Sequence, residues 1–190
     1  MGEKAKYYKC ALQVNSFSYT KYRGNIPQNE QEYNQRILER CWANDISVVG
    51  LADHGSVDSS SSLRTCLQNA GIIVFPGFEI SSAEKIHMVC LFPPEYDTSK
   101  LNRIIGGLGL ANVEKGTEAS EKTCLDIASK IEENGGFWYA AHITGDNGIL
   151  KLGKMQHIWK DKRLLAAQLP ASREEIDPSY VNIVNNTDLS

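Results

Sequence analysis

The sequence holds no apolar run near the ~20 residues needed to cross a bilayer. Its first residues, MGEKAKYYKC, contain no apolar segment of the kind a secretory signal requires. Lys6 stands where a myristoylation signal needs Ser or Thr. No CxxC pair occurs, and the five cysteines, Cys10, Cys41, Cys66, Cys90 and Cys124, are odd in number and far apart. That pattern argues against a disulfide framework or a zinc knuckle and favours a reducing compartment. Charge of one sign is also missing: 20 basic residues face 23 acidic ones, for a net charge of −3. Such a chain has no global basic footprint for nucleic acid, which leaves only local basic patches for that role. No internal repeat is visible, and the one low-complexity run is Ser59–Ser62. Together these absences describe a soluble, cytoplasmic chain.

What is present is an ordinary globular composition, 42% hydrophobic and 23% charged over 190 residues, enough for one domain spanning 1–190. Short apolar runs alternate with helical patterns. KCALQV, ISVVGLA, IIVFPGFEIS, IHMVCLFP and FWYAAH read as strands. NEQEYNQRILERCWAND places Tyr33, Ile37, Leu38, Cys41 and Trp42 on one helical face, with Asn29 as its cap. VDSSSSLRTCLQNAG, TSKLNRIIGGLG and EASEKTCLDIASKIEENGG are further helices, the first closed by Gly71 and the last by Gly135. LLAAQL and YVNIV read as late strands, and residues 145–162 as an excursion over the mouth or side of the fold. Strand–helix alternation of this kind predicts a parallel α/β architecture.

In such folds functional groups gather at the strand ends that form the mouth. The first strand ends in Gln13 and Asn15, two residues apart and so on one face. The second ends in Asp53 and His54, the third in Glu79; His87 follows eight residues later, and His142 ends a later strand. Three of the four histidines thus fall at such places, with His157 as the exception. Imidazole and carboxylate together suit zinc, manganese or iron. Asp53 either orients His54 or caps the segment that follows it. Lys21 and Arg23, in YTKYRGN, either meet a phosphate or form a solvated loop. Lys151, Lys154, Lys160, Lys162 and Arg163, with Trp159 among them, either track a nucleic-acid backbone or form a charged surface.

ALQVNS, GLADHGS, PGFEIS, IHMVCLF and YAAH resemble, in order and spacing, the motifs of the PHP (polymerase and histidinol phosphatase) domain, from Cys10 to His142. The chain looks most like the PHP domains at the N-terminus of large proteins that carry an AAA- or SMC-like ATPase region. The resemblance implies a distorted (β/α)7 TIM-like barrel, incomplete at its C-terminus if the chain is the N-terminal fragment of a longer protein. It implies a multinuclear metal site and phosphoester hydrolysis. It implies that Glu79, His87 and His142 share one metal and that His54, with Asp53, serves catalysis. Substrates would be phosphate esters or nucleic acid, and an ATPase region would be the partner.

The chain departs from that pattern in its first motif, where Gln13 and Asn15 replace a His-x-His pair. The last Asp-x-His motif is missing before residue 190. Four-ligand zinc is worth about 10–16 kcal/mol, so each ligand carries roughly 3 kcal/mol, or about a hundredfold in affinity. Amide oxygens replace little of that. The expectation is therefore a degenerate site with at most one well-held divalent metal. The outcome is either a weakened phosphoesterase or nuclease, or a catalytically silent structural or partner-binding module.

Overall fold

A computed structural model describes residues 7–20, 27, 29–110, 118–151, 156–164 and 166–169. Lys21, Arg23, Lys154, the YVNIV run and the chain's last residues lie outside the described residues. β1 (Lys9–Val14) is followed by the short α1 (Phe17–Thr20) and by α2 (Glu30–Ala43). β2 (Ile46–Leu51) and β3 (Asp53–His54) are separated only by Ala52. α3 (Ser61–Asn69) leads to β4 (Ile73–Phe75) and β5 (Gly77–Ser81), separated only by Pro76. Then come β6 (His87–Leu91), α4 (Thr98–Gly106), α5 (Cys124–Glu133), β7 (Phe137–Ala140) and α6 (Gln156–Trp159).

The two one-residue breaks organise everything else. One sheet has the order β1-β2-β4, the other β3-β5-β6-β7. The chain crosses from the first to the second at Ala52 and again at Pro76. Pro76 has no N–H for a ladder, and its carbonyl instead accepts from Phe92 N–H at 2.9 Å. Sequence alone reads IIVFPGFEIS as one strand; the proline bends it so that each half pairs in a different sheet. β2 and β4, like β3 and β5, run parallel.

β6 runs antiparallel between β5 and β7, against the all-parallel expectation. Only Ser82–Ile86 joins β5 to β6, too few residues for a crossover. The turn closes with Lys85 N–H to Ser82 O (2.8 Å) and Ser82 N–H to Ile86 O (2.9 Å). LLAAQL contributes a parallel bridge, Ala140 with Ala167, and no named strand.

Helices cover the convex side. α2 and α3 bury Leu38, Cys41, Leu63 and Leu67 against Val49, Leu51 and Val74 of the first sheet. α4 and α5 bury Leu101, Ile104, Ile105, Ile127, Ala128 and Ile131 against Phe78, Ile80, Met88, Cys90 and Trp138 of the second. Asn29 caps α2 by accepting from Glu32 N–H at 2.8 Å, as expected. Thr123 caps α5 in the same way. Gly71 and Gly135 follow their helices with φ of +81° and +71°. Trp42, expected on the inner face of α2, is 55% exposed; Leu38 and Cys41 take that face. Trp159, expected among exposed lysines, is buried in the second core, and Arg163 is held by Asp161 at 2.8 Å. No helix among the described residues is long and apolar enough to cross a membrane.

On the concave side the lining is thin: Ala52, Val89, Leu91, Tyr139 and Ala141, with Leu12 and Phe75 beside them. Tyr139 Oη donates to Leu12 O at 3.2 Å, reaching from β7 to β1 across this space. Gly50 permits the close approach. A Cβ there would stand 2.5 Å from Leu12 O and 2.7 Å from Leu91 Cδ1. Gly50→Ala is expected to lose about 1–3 kcal/mol through overpacking, read as a lower urea midpoint. An unchanged midpoint would mean that the concave face is not packed as described.

Candidate metal centre

Register places the site. β3 pairs His54 with Glu79, and β6 pairs His87 with Ser81. Because β6 runs backwards, its first residue lies at the same mouth as the last residues of the parallel strands. His142 follows β7 at that mouth. Gln13 arrives on β1 beside a register shift between Ala11 and Val14. The irregularity lets Leu12 pack inward while Gln13 also reaches the site.

Glu79 is the centre, 5% exposed. Its Oε1 lies 2.8 Å from His87 Nδ1, 3.5 Å from His142 Nε2 and 3.8 Å from His54 Nε2. His142 Nε2 is 3.1 Å from His87 Nδ1. Donors about 2.1 Å from a tetrahedral cation stand roughly 3.4 Å apart, so these spacings bracket what one divalent ion needs. His54, Glu79 and His87 form a group whose donor atoms lie within 4.8 Å of one another. His54 and His87 are largely sealed from solvent, whereas the His142 side chain is 40% exposed at the open edge. The residues present thus fit a divalent cation by donor type and by spacing.

Burial acts to raise the Glu79 pKa. Hydrogen bonds from His142 and His87 and the charges of His54 and His87 outweigh it and hold the carboxyl well below its usual range. Burial pushes the Tyr139 phenol up, and the Glu79 charge adds to that. All five cysteines are free thiols. Burial raises Cys124 to about 12 and Cys90 well above its usual value, so neither offers a thiolate.

The remaining expected residues separate into distinct roles. Gln13 Nε2 donates to Glu79 Oε2 at 2.8 Å, the oxygen turned away from the histidines. Asn15 Nδ2 instead donates to Ala52 O at 2.8 Å, with Asp53 Oδ1 at 3.4 Å. Asp53 accepts from Ser16 N–H and from Ser59 Oγ, both at 2.8 Å. It ties the end of β1 to β3 and to the turn before α3, and so fixes the backbone that carries His54.

Sequence reasoning missed four contributors. Tyr19, on α1, lies over His54 with ring centroids 6.5 Å apart and planes at 19°. Gln168 Oε1 accepts His142 N–H at 2.9 Å. Asn147 Nδ2 is 3.1 Å from His87 Nε2. Gly145 packs against His142, where a Cβ would lie 3.1 Å from Nδ1. The first three are common polar or aromatic residues in loops or short helices, with no spacing to mark them. The GDNG turn signal pointed to a loop but not to its target. His142 itself holds φ at +26°, a region unfavourable for a side chain.

No known family pattern and no curated protein matches the sequence. Solved structures do match in shape. A lesion-specific endonuclease from Pyrococcus furiosus superposes with a TM-score of 0.54 at 16% identity, over 76% of this chain and 37% of its own. An amidohydrolase from Chromobacterium violaceum, with bound sulfate and no metal, gives 0.49 at 12% over 80% and 73%. A protein assigned as a metal-dependent phosphoesterase from Bifidobacterium adolescentis gives 0.46 at 11% over 71% and 66%. The chain therefore spans 66% of the phosphoesterase and little more than a third of the endonuclease. At these identities the likeness is one of fold, carried by the endonuclease.

A carboxyl depressed in the folded state binds fewer protons than in the unfolded chain. Its stabilisation is present above the unfolded pKa of about 4.3 and is lost as pH falls below it. With chelator present, the urea midpoint is expected to fall between pH 5 and pH 3, and Glu79→Gln to flatten that fall. An equally steep fall in the variant would exclude Glu79 as the source.

Proposed function

We propose that this chain, residues 1–190, is a cytoplasmic PHP-type phosphoester hydrolase domain holding one divalent cation, in a distorted (β/α)7 barrel. The observation that supports it is the convergence of His54, His87 and His142 on one oxygen of the buried Glu79, each within 3.8 Å. Glu79, His87 and His142 would hold the cation, and His54 would carry a proton to or from the reacting oxygens. Asp53 would keep His54 in place. A bound cation would polarise a phosphoryl oxygen and make water nucleophilic near neutral pH.

The substrate class we favour is a phosphodiester, including nucleic acid, with Lys21 and Arg23 as phosphate contacts. The single site follows from Gln13: its amide occupies Glu79 Oε2, the oxygen a second cation would need. On the sequence resemblance alone, the proposal extends to an ATPase region in the same parent chain or complex.

The same Gln13 contact favours a second reading, in which the module is catalytically silent and keeps the fold for partner binding. Metal content and turnover separate the two. The purified chain is expected to retain one equivalent of zinc or manganese and to hydrolyse bis(p-nitrophenyl) phosphate slowly. His142→Ala should weaken metal binding by about a hundredfold and abolish hydrolysis. Two tightly bound equivalents would sink the single-cation site; metal retained without turnover on phosphodiester or DNA would favour the silent module.

A further inference from the structure

Asn147 sits in the tight turn after His142 and touches His87 twice. Its backbone carbonyl accepts His87 N–H at 3.2 Å, and its side-chain Nδ2 stands 3.1 Å from His87 Nε2. On the other side of the same ring, Nδ1 faces Glu79 Oε1 at 2.8 Å. An ionised carboxylate can only accept. Without a cation, then, His87 carries its proton on Nδ1, and Nε2 is a bare acceptor that the Asn147 amide N–H fills.

A cation bound at Nδ1 requires the opposite tautomer. Nδ1 must be bare, and the ring proton must sit on Nε2. The proton passes from one nitrogen to the other through solvent, with none gained or lost by the ring. The Nε2–H then needs an acceptor in the place where Asn147 offered a donor. Half a turn of the Asn147 amide about its last torsion supplies one, because Oδ1 and Nδ2 exchange places with little change of shape. A histidine ligand usually needs such an acceptor behind it. Aspartate could serve only the cation-bound tautomer, and an apolar residue neither.

We propose that Asn147 is a positioning residue whose amide takes one of two orientations according to the tautomer of His87. It supports the ring both before and after a cation binds, while its carbonyl keeps the turn fixed to β6. The inference rests on the cation reading above for its second orientation and on geometry alone for its first.

The test uses the whole chain, Zn2+ as the probe, and two readouts: ring-nitrogen NMR of His87 and zinc affinity by chelator competition. Metal-free protein should show Nδ1–H on His87, and zinc should convert it to Nε2–H. Asn147→Leu should weaken zinc by about 10–100-fold. Asn147→Asp should hold zinc as tightly as the unaltered chain, or more tightly, and in metal-free protein should shift His87 toward Nε2–H. The aspartate variant, close in shape, carries the test if the leucine variant fails to fold. Equal weakening by both substitutions would mark Asn147 as loop structure only. Nε2–H in the metal-free unaltered chain would overturn the switch and leave the cation site standing. Zinc failing to bind the unaltered chain, with Nδ1–H intact, would overturn the cation site and the second orientation with it.

Discussion

A carboxylate as deeply buried as Glu79 must be compensated, because removing an ion from water costs several kcal/mol after relaxation. In this chain the compensation is drawn from four separate segments. Gln13 comes from β1, His54 from β3, His87 from β6 and His142 from beyond β7. Each must be delivered to within hydrogen-bond or ion-pair reach of one side chain. The bent strands at Ala52 and Pro76, the register shift in β1 and the reversed β6 are the means by which the backbone meets that demand. The outer packing of α2 to α5 can vary without touching the site; the position of Glu79 cannot.

The helices and most strands were legible because their signals are local. Asn29 and the apolar face of α5 act within a few residues, as do the glycines after α3 and α5. The polar residues at strand ends were legible for a different reason: His54, Glu79, His87 and His142 are chemically conspicuous in a chain with four histidines. What stayed hidden depends on three-dimensional neighbours. Nothing in IIVFPGFEIS says that its halves pair in different sheets, and only the short Ser82–Ile86 connection hinted that β6 turns back. Trp42 and Trp159 show the same limit, since helical spacing and charged flanks assigned each to the wrong environment. Asn147 and Gln168 are invisible because an amide carries no mark of what it will face.

Amides recur around the site in place of charges. Gln13 meets Glu79, Asn15 meets the Ala52 carbonyl, Asn147 meets His87, and Gln168 meets the His142 backbone. A neutral group with both donor and acceptor ends satisfies a buried partner without adding a second ion to desolvate. The result is a cluster with one formal negative charge and three imidazoles, whose net charge is set by protons or by a cation.

The reversal of β6 also divides the site by distance along the chain. Glu79 and His87 are eight residues apart and join through a hairpin. The Tyr139–Leu12 contact, which draws the two ends of the curved sheet together, spans 127 residues. Sixteenfold in separation is four doublings, or roughly 2.4 kcal/mol more loop-closure entropy. The core of the charge pair can therefore assemble on the time scale of a hairpin, about 1–10 μs. Its Gln13 and His142 neighbours wait for the slow closure of the whole sheet. During that interval Glu79 and His87 have only each other and water, so the last contacts to form are the ones that seal the ion away from solvent.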